Sequence, residues 1–130
     1  MKDQELIALA AEARGKAYAP YSGYPVGAAL LTASGKVYTG ANVENSSYGL
    51  SICAERTAAF KAVSEGEREF VAIAVVTANG GTPCGACRQV LNEFGPDMRV
   101  LIADMNGKYQ AYRLGELLPA SFGPAQLPPK

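Results

Sequence analysis

The sequence predicts a three-layer α/β/α domain built on a five-stranded mixed sheet whose last strand runs antiparallel. Three observations carry this reading. Two unbroken β-prone runs, FVAIAVVTA and RVLIAD, flank a helical segment, the pattern of a strand–helix–strand crossover with strands buried on both faces. A second helical segment, ICAERTAAFKAVSE, leads into the first of those runs. Turn signals at Ser34-Gly35 and Asn106-Gly107 mark β-hairpins at either end of the series.

The elements follow in order. Leu6, Ile7, Ala10 and Ala13 recur at helical spacing, so residues 3–14 form an amphipathic helix closed by Gly15. The segment YAPYSGYP is turn-rich, with two prolines and a glycine among its tyrosines. VGAALLTA and KVYTGAN then pair across Ser34-Gly35. Residues 52–65 are rich in helix formers and stop near Gly66. After FVAIAVVTA, Pro83 opens a helix over roughly residues 84–94, since proline suits a first helical turn. RVLIAD follows, a two-residue Asn106-Gly107 turn reverses the chain, and KYQAYRL returns antiparallel. LGELLPASF makes a short last helix, and residues 123–130 form a loose tail. The order is α-β-β-α-β-α-β-β-α, and its crossovers imply a parallel centre with helices on both faces. No repeat or linker divides it, so residues 1–130 are expected to form a single domain.

Bulk properties narrow the function. At 130 residues the chain suits one domain with a sizeable core, and 48% hydrophobic with 18% charged residues is ordinary for a globular protein. Twelve basic residues balance twelve acidic ones. That neutrality leans against a nucleic-acid partner, because phosphate binding is driven by an excess of cations. Three cysteines are a poor start for a secreted disulfide framework. The N-terminal segment lacks a signal peptide's apolar core, and the longest apolar run is too short to span a bilayer. A soluble cytoplasmic protein is expected, with no membrane partner.

The chemistry concentrates in the cysteines. Cys53 opens one expected helix; Cys84 and Cys87, in TPCGACRQV, open the next. Helix N-termini favour thiolates, and two helices side by side on a sheet can bring three sulfurs together. A structural zinc site takes four protein ligands, and the chain has no histidine and no fourth cysteine. A catalytic zinc takes three and leaves one position open, which fits the count. A C-x-x-C redox pair and plain buried cysteines remain open on spacing alone. Cys53 is followed by Ala54, Glu55 and Arg56. Glu55 is either favourable charge at a helix start or a general acid/base beside the open position. Arg56 is either a surface charge or the cation that offsets three thiolates.

C-A-E followed by P-C-x-x-C resembles the signature of the zinc-dependent nucleoside and nucleobase deaminases, in the variant with cysteine in place of histidine as first ligand. Ala19-Pro20-Tyr21-Ser22, Val26 through Leu30, Asn42-Val43-Glu44-Asn45, Pro83 through Gln89, and Leu117 through Phe122 resemble the small, homotetrameric cytidine deaminases. Nearly the whole chain is covered. The zinc motif marks the superfamily, and N-V-E-N narrows it to free nucleosides.

That resemblance implies one Zn2+ per chain held by Cys53, Cys84 and Cys87. It implies an activated water, a proton taken by Glu55 and passed to N3 of the pyrimidine, attack at C4, and departure of ammonia. Asn42 and Glu44 match positions that bind the ribose 3′-hydroxyl. Ala54 falls among the substrate contacts, and Tyr24 stands where phenylalanine commonly stacks on the base. Phe122 matches an aromatic that enters a neighbouring subunit's site, and Ser46–Tyr48 matches an intersubunit loop. The Tyr24 hydroxyl and the polar Ser46-Ser47 depart from the usual pattern and are expected to tune substrate preference.

The expected activity is hydrolysis of cytidine and 2′-deoxycytidine to uridine and 2′-deoxyuridine, in pyrimidine salvage. A deaminase for a cytosine-nucleoside antibiotic of the blasticidin type is the alternative, disfavoured by the ribose-reading Asn42 and Glu44. A polynucleotide deaminase is disfavoured by the Asn106-Gly107 hairpin, which leaves no room for a helix before a parallel last strand. A thiol redox protein would instead use Cys84 and Cys87 as a disulfide pair.

Overall fold

The computed structural model describes residues 1–129. Its elements are α1 (Asp3–Arg14), β1 (Gly27–Thr32), β2 (Val37–Ala41), α2 (Ala54–Ser64), β3 (Phe70–Val76), α3 (Gly85–Phe94), β4 (Arg99–Ala103), β5 (Tyr109–Arg113) and α4 (Leu114–Leu117), with a 3-10 turn at Pro124–Gln126. Among the described residues, five strands form one sheet in the order β2-β1-β3-β4-β5. The mixed sheet and the antiparallel last strand are as expected.

The centre is less parallel than the crossovers implied. β3 and β4 make a parallel pair, but β1 pairs antiparallel with both β2 and β3. The chain from β2 through α2 to β3 therefore steps over β1, and the two strands it joins share no ladder. Only the β3–α3–β4 crossover joins sheet neighbours.

Side-chain alternation assigns the layers. Leu30, Ile73, Val75, Val100 and Ile102 face one side with Ala58, Ala59, Ala62 and Leu91, so α2 and α3 cover that face. Ala29, Ala72, Ala74, Val76, Leu101 and Ala103 face the other side, with Leu6, Ile7 and Ala10 of α1. The two sets interleave at period two, as a sheet buried on both faces requires. Residue 40 sets the seat of α2. A Cβ on Gly40 would lie 2.5 Å from the Ala54 carbonyl oxygen and 2.6 Å from the Ala58 nitrogen. Glycine lets the first turn of α2 rest directly on β2.

Both hairpin loops differ from a two-residue turn. Thr32 N–H bonds Lys36 O and Gly35 N–H bonds Thr32 O; Asp104, Lys108 and Gly107 repeat the arrangement. Each loop has three residues and ends on a glycine with positive φ, 88° at Gly35 and 83° at Gly107. This is a type I turn closed by a left-handed residue. The Asp104 carboxylate accepts from the N–H groups of Asn106 and Lys108 and holds the longer form. The last helix is also shorter than expected. Pro119 disfavours a helical conformation at Leu118, which adopts φ −141° and ends α4. Pro83 lies one residue ahead of the cap at Cys84, outside the first turn of α3.

At the far edge, Arg99 of β4 makes a two-pronged ion pair with Asp3 at the start of α1, both contacts at 2.8 Å. Tyr109 of β5 donates its hydroxyl to the same carboxylate. Among the described residues no helix is long and apolar enough to cross a membrane.

Candidate active site

The carboxyl ends of β3 and the neighbouring helix starts meet at one cavity, the usual position for a site in an open α/β sheet. Cys53 is the N-cap of α2 and Cys84 the N-cap of α3, each with extended backbone before its helix. Cys87 follows inside the first turn of α3 and is buried. α2 and α3 share a sheet face, so their N-termini converge. Cys53 Sγ lies 3.8 Å from Cys84 Sγ, which lies 3.4 Å from Cys87 Sγ, and all three fall within 4.8 Å of one another.

That donor set fits zinc. Zn–S bonds of about 2.3 Å in a tetrahedron require sulfurs about 3.8 Å apart. Three thiolates also need a compensating cation, and Arg56 Nη2 donates to Cys53 Sγ at 3.4 Å. The Cys53 thiol is held down to about 5, chiefly by a hydrogen bond from Cys87 and further by Arg56, against the opposing effect of burial. Cys87, whose proton is held by Cys53 and which is buried, is pushed up. Thiols bind a dication as thiolates, so metal binding at such a set releases protons. The third sulfur beside the C-x-x-C pair is what a simple dithiol redox site does not need.

Glu55 sits in the first turn of α2 and is 4% exposed. Burial, aided by the Cys53 thiolate, pushes its carboxyl up to about 7, while its own backbone N–H and Arg56 act the other way. A carboxyl poised near neutrality can both take and give a proton.

The cavity in front of these groups has a volume of about 440 Å³, within the range of small-molecule sites. Tyr24, Asn42, Glu44, Cys53, Glu55, Arg56 and Cys84 all line it. Asn42 Oδ1 accepts from Val26 N–H at 2.9 Å, and its Nδ2 donates to Tyr24 O at 3.0 Å. Glu44 accepts from the N–H groups of Tyr21 and Ser22 and from the Ser22 hydroxyl. The Ser22 hydroxyl, more than its N–H, holds the Glu44 carboxyl below its ordinary value. Both side chains therefore also brace the turn-rich loop before β1.

The remaining expected residues lie elsewhere. Ala54 is fully buried under the start of α2. Ser46 is exposed, and Tyr48 and Phe122 are 70% and 59% exposed; all three lie away from this chain's own cavity. The Phe122 carbonyl accepts from Gln89 at 2.8 Å and from Asn92 at 3.4 Å, so α3 fixes the backbone that carries the ring. Arg88 adds bonds to Pro83 O, Leu117 O and the Thr82 hydroxyl. Sequence reasoning missed Ser22, Thr77, Gly81 and Thr82 in the cavity wall. Ser22 lies in the A-P-Y-S segment, Thr77 near the end of the FVAIAVVTA run and Thr82 beside the C-x-x-C motif, but none of these placements marks a cavity wall, and Gly81 had no signal.

Residues 1–103 match the family described as the cytidine and deoxycytidylate deaminase zinc-binding region. The chain belongs to this family. Among these deaminases it is 54% identical to a cytidine deaminase of Halalkalibacterium halodurans over 94% of this chain and 95% of that one. A crystal structure of a cytidine deaminase from Burkholderia pseudomallei superposes with a TM-score of 0.90 at 53% identity, covering 94% of this chain and all of that one. A blasticidin-S deaminase of Bacillus cereus is 31% identical over 93% of this chain and 92% of that one. Membership makes the chain a zinc-dependent deaminase, a hydrolase, and the three convergent thiols fit one zinc per chain.

Proposed function

We propose that the chain, as a single catalytic domain, hydrolyses cytidine and 2′-deoxycytidine to uridine and 2′-deoxyuridine with release of ammonia. The observation that carries this is a buried carboxyl, Glu55, beside a three-sulfur centre at the end of a nucleoside-sized cavity. Bound by Cys53, Cys84 and Cys87, zinc would supply Lewis acidity toward a water in its open position. Glu55 takes a proton from the attacking water and delivers it to N3, then takes the remaining proton from the C4 hydroxyl and passes it to the leaving amino group. Its position near neutrality supports both directions of transfer. Arg56 offsets the thiolate charge.

Sugar recognition falls to Asn42 and Glu44. Their loop contacts leave one Asn42 N–H and lone pairs of Glu44 unspent. A 3′-hydroxyl, which both accepts and donates, satisfies that pair. Tyr24 packs against the base, and Ala54 gives its backbone to the substrate. This polar pair favours a free nucleoside over a blasticidin-type substrate.

The partner is a second copy of the chain, in a homotetramer with shared sites. Exposed Tyr48, Leu50 and Phe122, the last on a tethered backbone, support a face that is covered by neighbours. Ser46–Tyr48 and Phe122 then serve the neighbouring cavity. Cytoplasmic pyrimidine salvage accords with three unpaired thiols, which persist in a reducing compartment. The test is to add cytidine to purified protein and follow uridine with and without a chelator. Uridine formation that stops on chelation and returns with zinc is expected; no uridine at full zinc loading overturns the reading.

A further inference from the structure

The Tyr24 side chain is held at its far end by a residue outside the expected site. Its hydroxyl donates to Asn79 Oδ1 at 2.6 Å, joining the loop before β1 to the loop between β3 and α3, which runs on to Cys84. Both sides of this bond are braced. Tyr24 N–H bonds the Ser22 hydroxyl at 3.0 Å, and Tyr24 O accepts from Asn42. Asn79 pairs with Asp104 across an isolated bridge at the sheet end. Gly81 N–H bonds the Thr77 hydroxyl at 2.8 Å. The β3–α3 loop is shaped around the phenol: a Cβ on Gly81 would meet Tyr24 Oη at 2.6 Å, whereas the next ring atom, Cζ, lies at 3.7 Å.

We propose that Asn79 is a positioning residue that fixes the Tyr24 ring in the cavity wall, with Gly81 kept small to admit the hydroxyl. The tie spans the gap between the side of the cavity that carries Asn42 and Glu44 and the loop that leads to Cys84. It sets the width at which a base is received. Phenylalanine at position 24 has the ring without the tie. This inference rests on the proposed function, because the effect on substrate is read with cytidine.

The experiment compares Asn79→Ala, Tyr24→Phe, Gly81→Ala and the two doubles that contain Tyr24→Phe. Loss of one hydrogen bond that orders a binding wall predicts a roughly 2- to 10-fold rise in KM for cytidine, with kcat little changed. Asn79→Ala and Tyr24→Phe should not multiply, since either alone breaks the same bond. Gly81→Ala should raise KM in the native background and add nothing in the Tyr24→Phe background, where the clashing oxygen is gone. Multiplicative effects of Asn79→Ala and Tyr24→Phe, or an equal penalty of Gly81→Ala in both backgrounds, overturn the proposal. Thermal unfolding of the same variants needs no substrate and must give the same non-additivity. If native protein leaves cytidine untouched, the functional reading fails, and coupling or its absence in unfolding still decides whether the tie exists.

Discussion

The two sides of the cavity are built on different principles. The metal side is made by side chains at helix starts: Cys53 and Glu55 on α2, Cys84 and Cys87 on α3. Its geometry follows from two helices seated on one sheet face. The side proposed to read the sugar is made by a loop: Asn42 and Glu44 spend most of their hydrogen bonds on residues 21–26 and present what is left. The metal side holds its reactive groups by rigid packing. The sugar side holds its groups by making them part of the wall.

The largest effects should separate the sides outright. Cys87→Ala removes a buried thiol of the proposed ligand set, so zinc and activity should both be lost, as metal analysis and a uridine assay would reveal. Full metal occupancy in that variant would remove Cys87 from the ligand set. Glu55→Gln retains shape but cannot shuttle protons. A general acid–base group contributes about 10²–10⁴-fold, and this one serves several steps, so a loss at or beyond the top of that range is expected with zinc retained. Near-normal turnover would refute the assigned role, and loss of zinc would make Glu55 a ligand.

A middle tier probes how each side is held. Gly40→Ala forces a methyl group into the backbone of α2 at Ala54 and Ala58. Overpacking of this kind costs about 1–3 kcal/mol. Denaturant unfolding should register that loss, and turnover should fall with it because Cys53 and Glu55 ride on the displaced turn. On the sugar side, the 2′,3′-dideoxy substrate leaves the Asn42 and Glu44 groups unpaired. At about 1–3 kcal/mol for the buried Asn42 amide alone, kcat/KM should drop by roughly 5- to 150-fold or more, while cytidine and 2′-deoxycytidine both react. Equal turnover of all three would show that the pair is purely architectural.

The smallest effect lies far from both sides. The hydrogen bond from Arg99, with further help from its charge, lowers the Asp3 carboxyl from its ordinary 3.8. A lowered carboxylate stabilises the fold above its unfolded value, and that contribution fades as pH falls below 3.8 through the lower folded value. Arg99 is half exposed, so the loss should stay within about 1 kcal/mol. Native protein should exceed Asp3→Asn in stability at neutral pH by that margin, and the difference should close as pH falls through that window, with cavity binding unaltered by the substitution at neutral pH.

The same contrast explains what the sequence disclosed. The metal side was legible because its groups sit in two short stretches at helix starts, and a three-ligand count is a chemical argument that needs no coordinates. Asn42 and Glu44 were visible as polar residues two apart, but their bonds to Val26, Tyr24 and Ser22 were not. Those contacts depend on how a turn-rich loop folds back over β2. Asn79 and Gly81 carried no signal at all, since a hydrogen bond across 55 residues has no periodicity. The Gly35 and Gly107 turns were found from their dipeptides, while the third residue of each loop depended on hydrogen bonds that a dipeptide does not encode. The parallel centre was overestimated because sequence order cannot reveal that β1 lies between β2 and β3.

The clasp between α1 and β4 also bears on how the chain comes off the ribosome. α1 is made before the elements it closes against, and Arg99 and Tyr109, which close on Asp3, follow roughly 95–105 residues later; at about 5–20 residues per second that is a delay on the order of 5–20 s. During that interval α1 can dock only on the β1–β2 hairpin and then on β3. α1 precedes α2 and α3 in the chain yet waits longest for its fastening, so its apolar stripe of Leu6, Ile7 and Ala10 stays exposed over that interval.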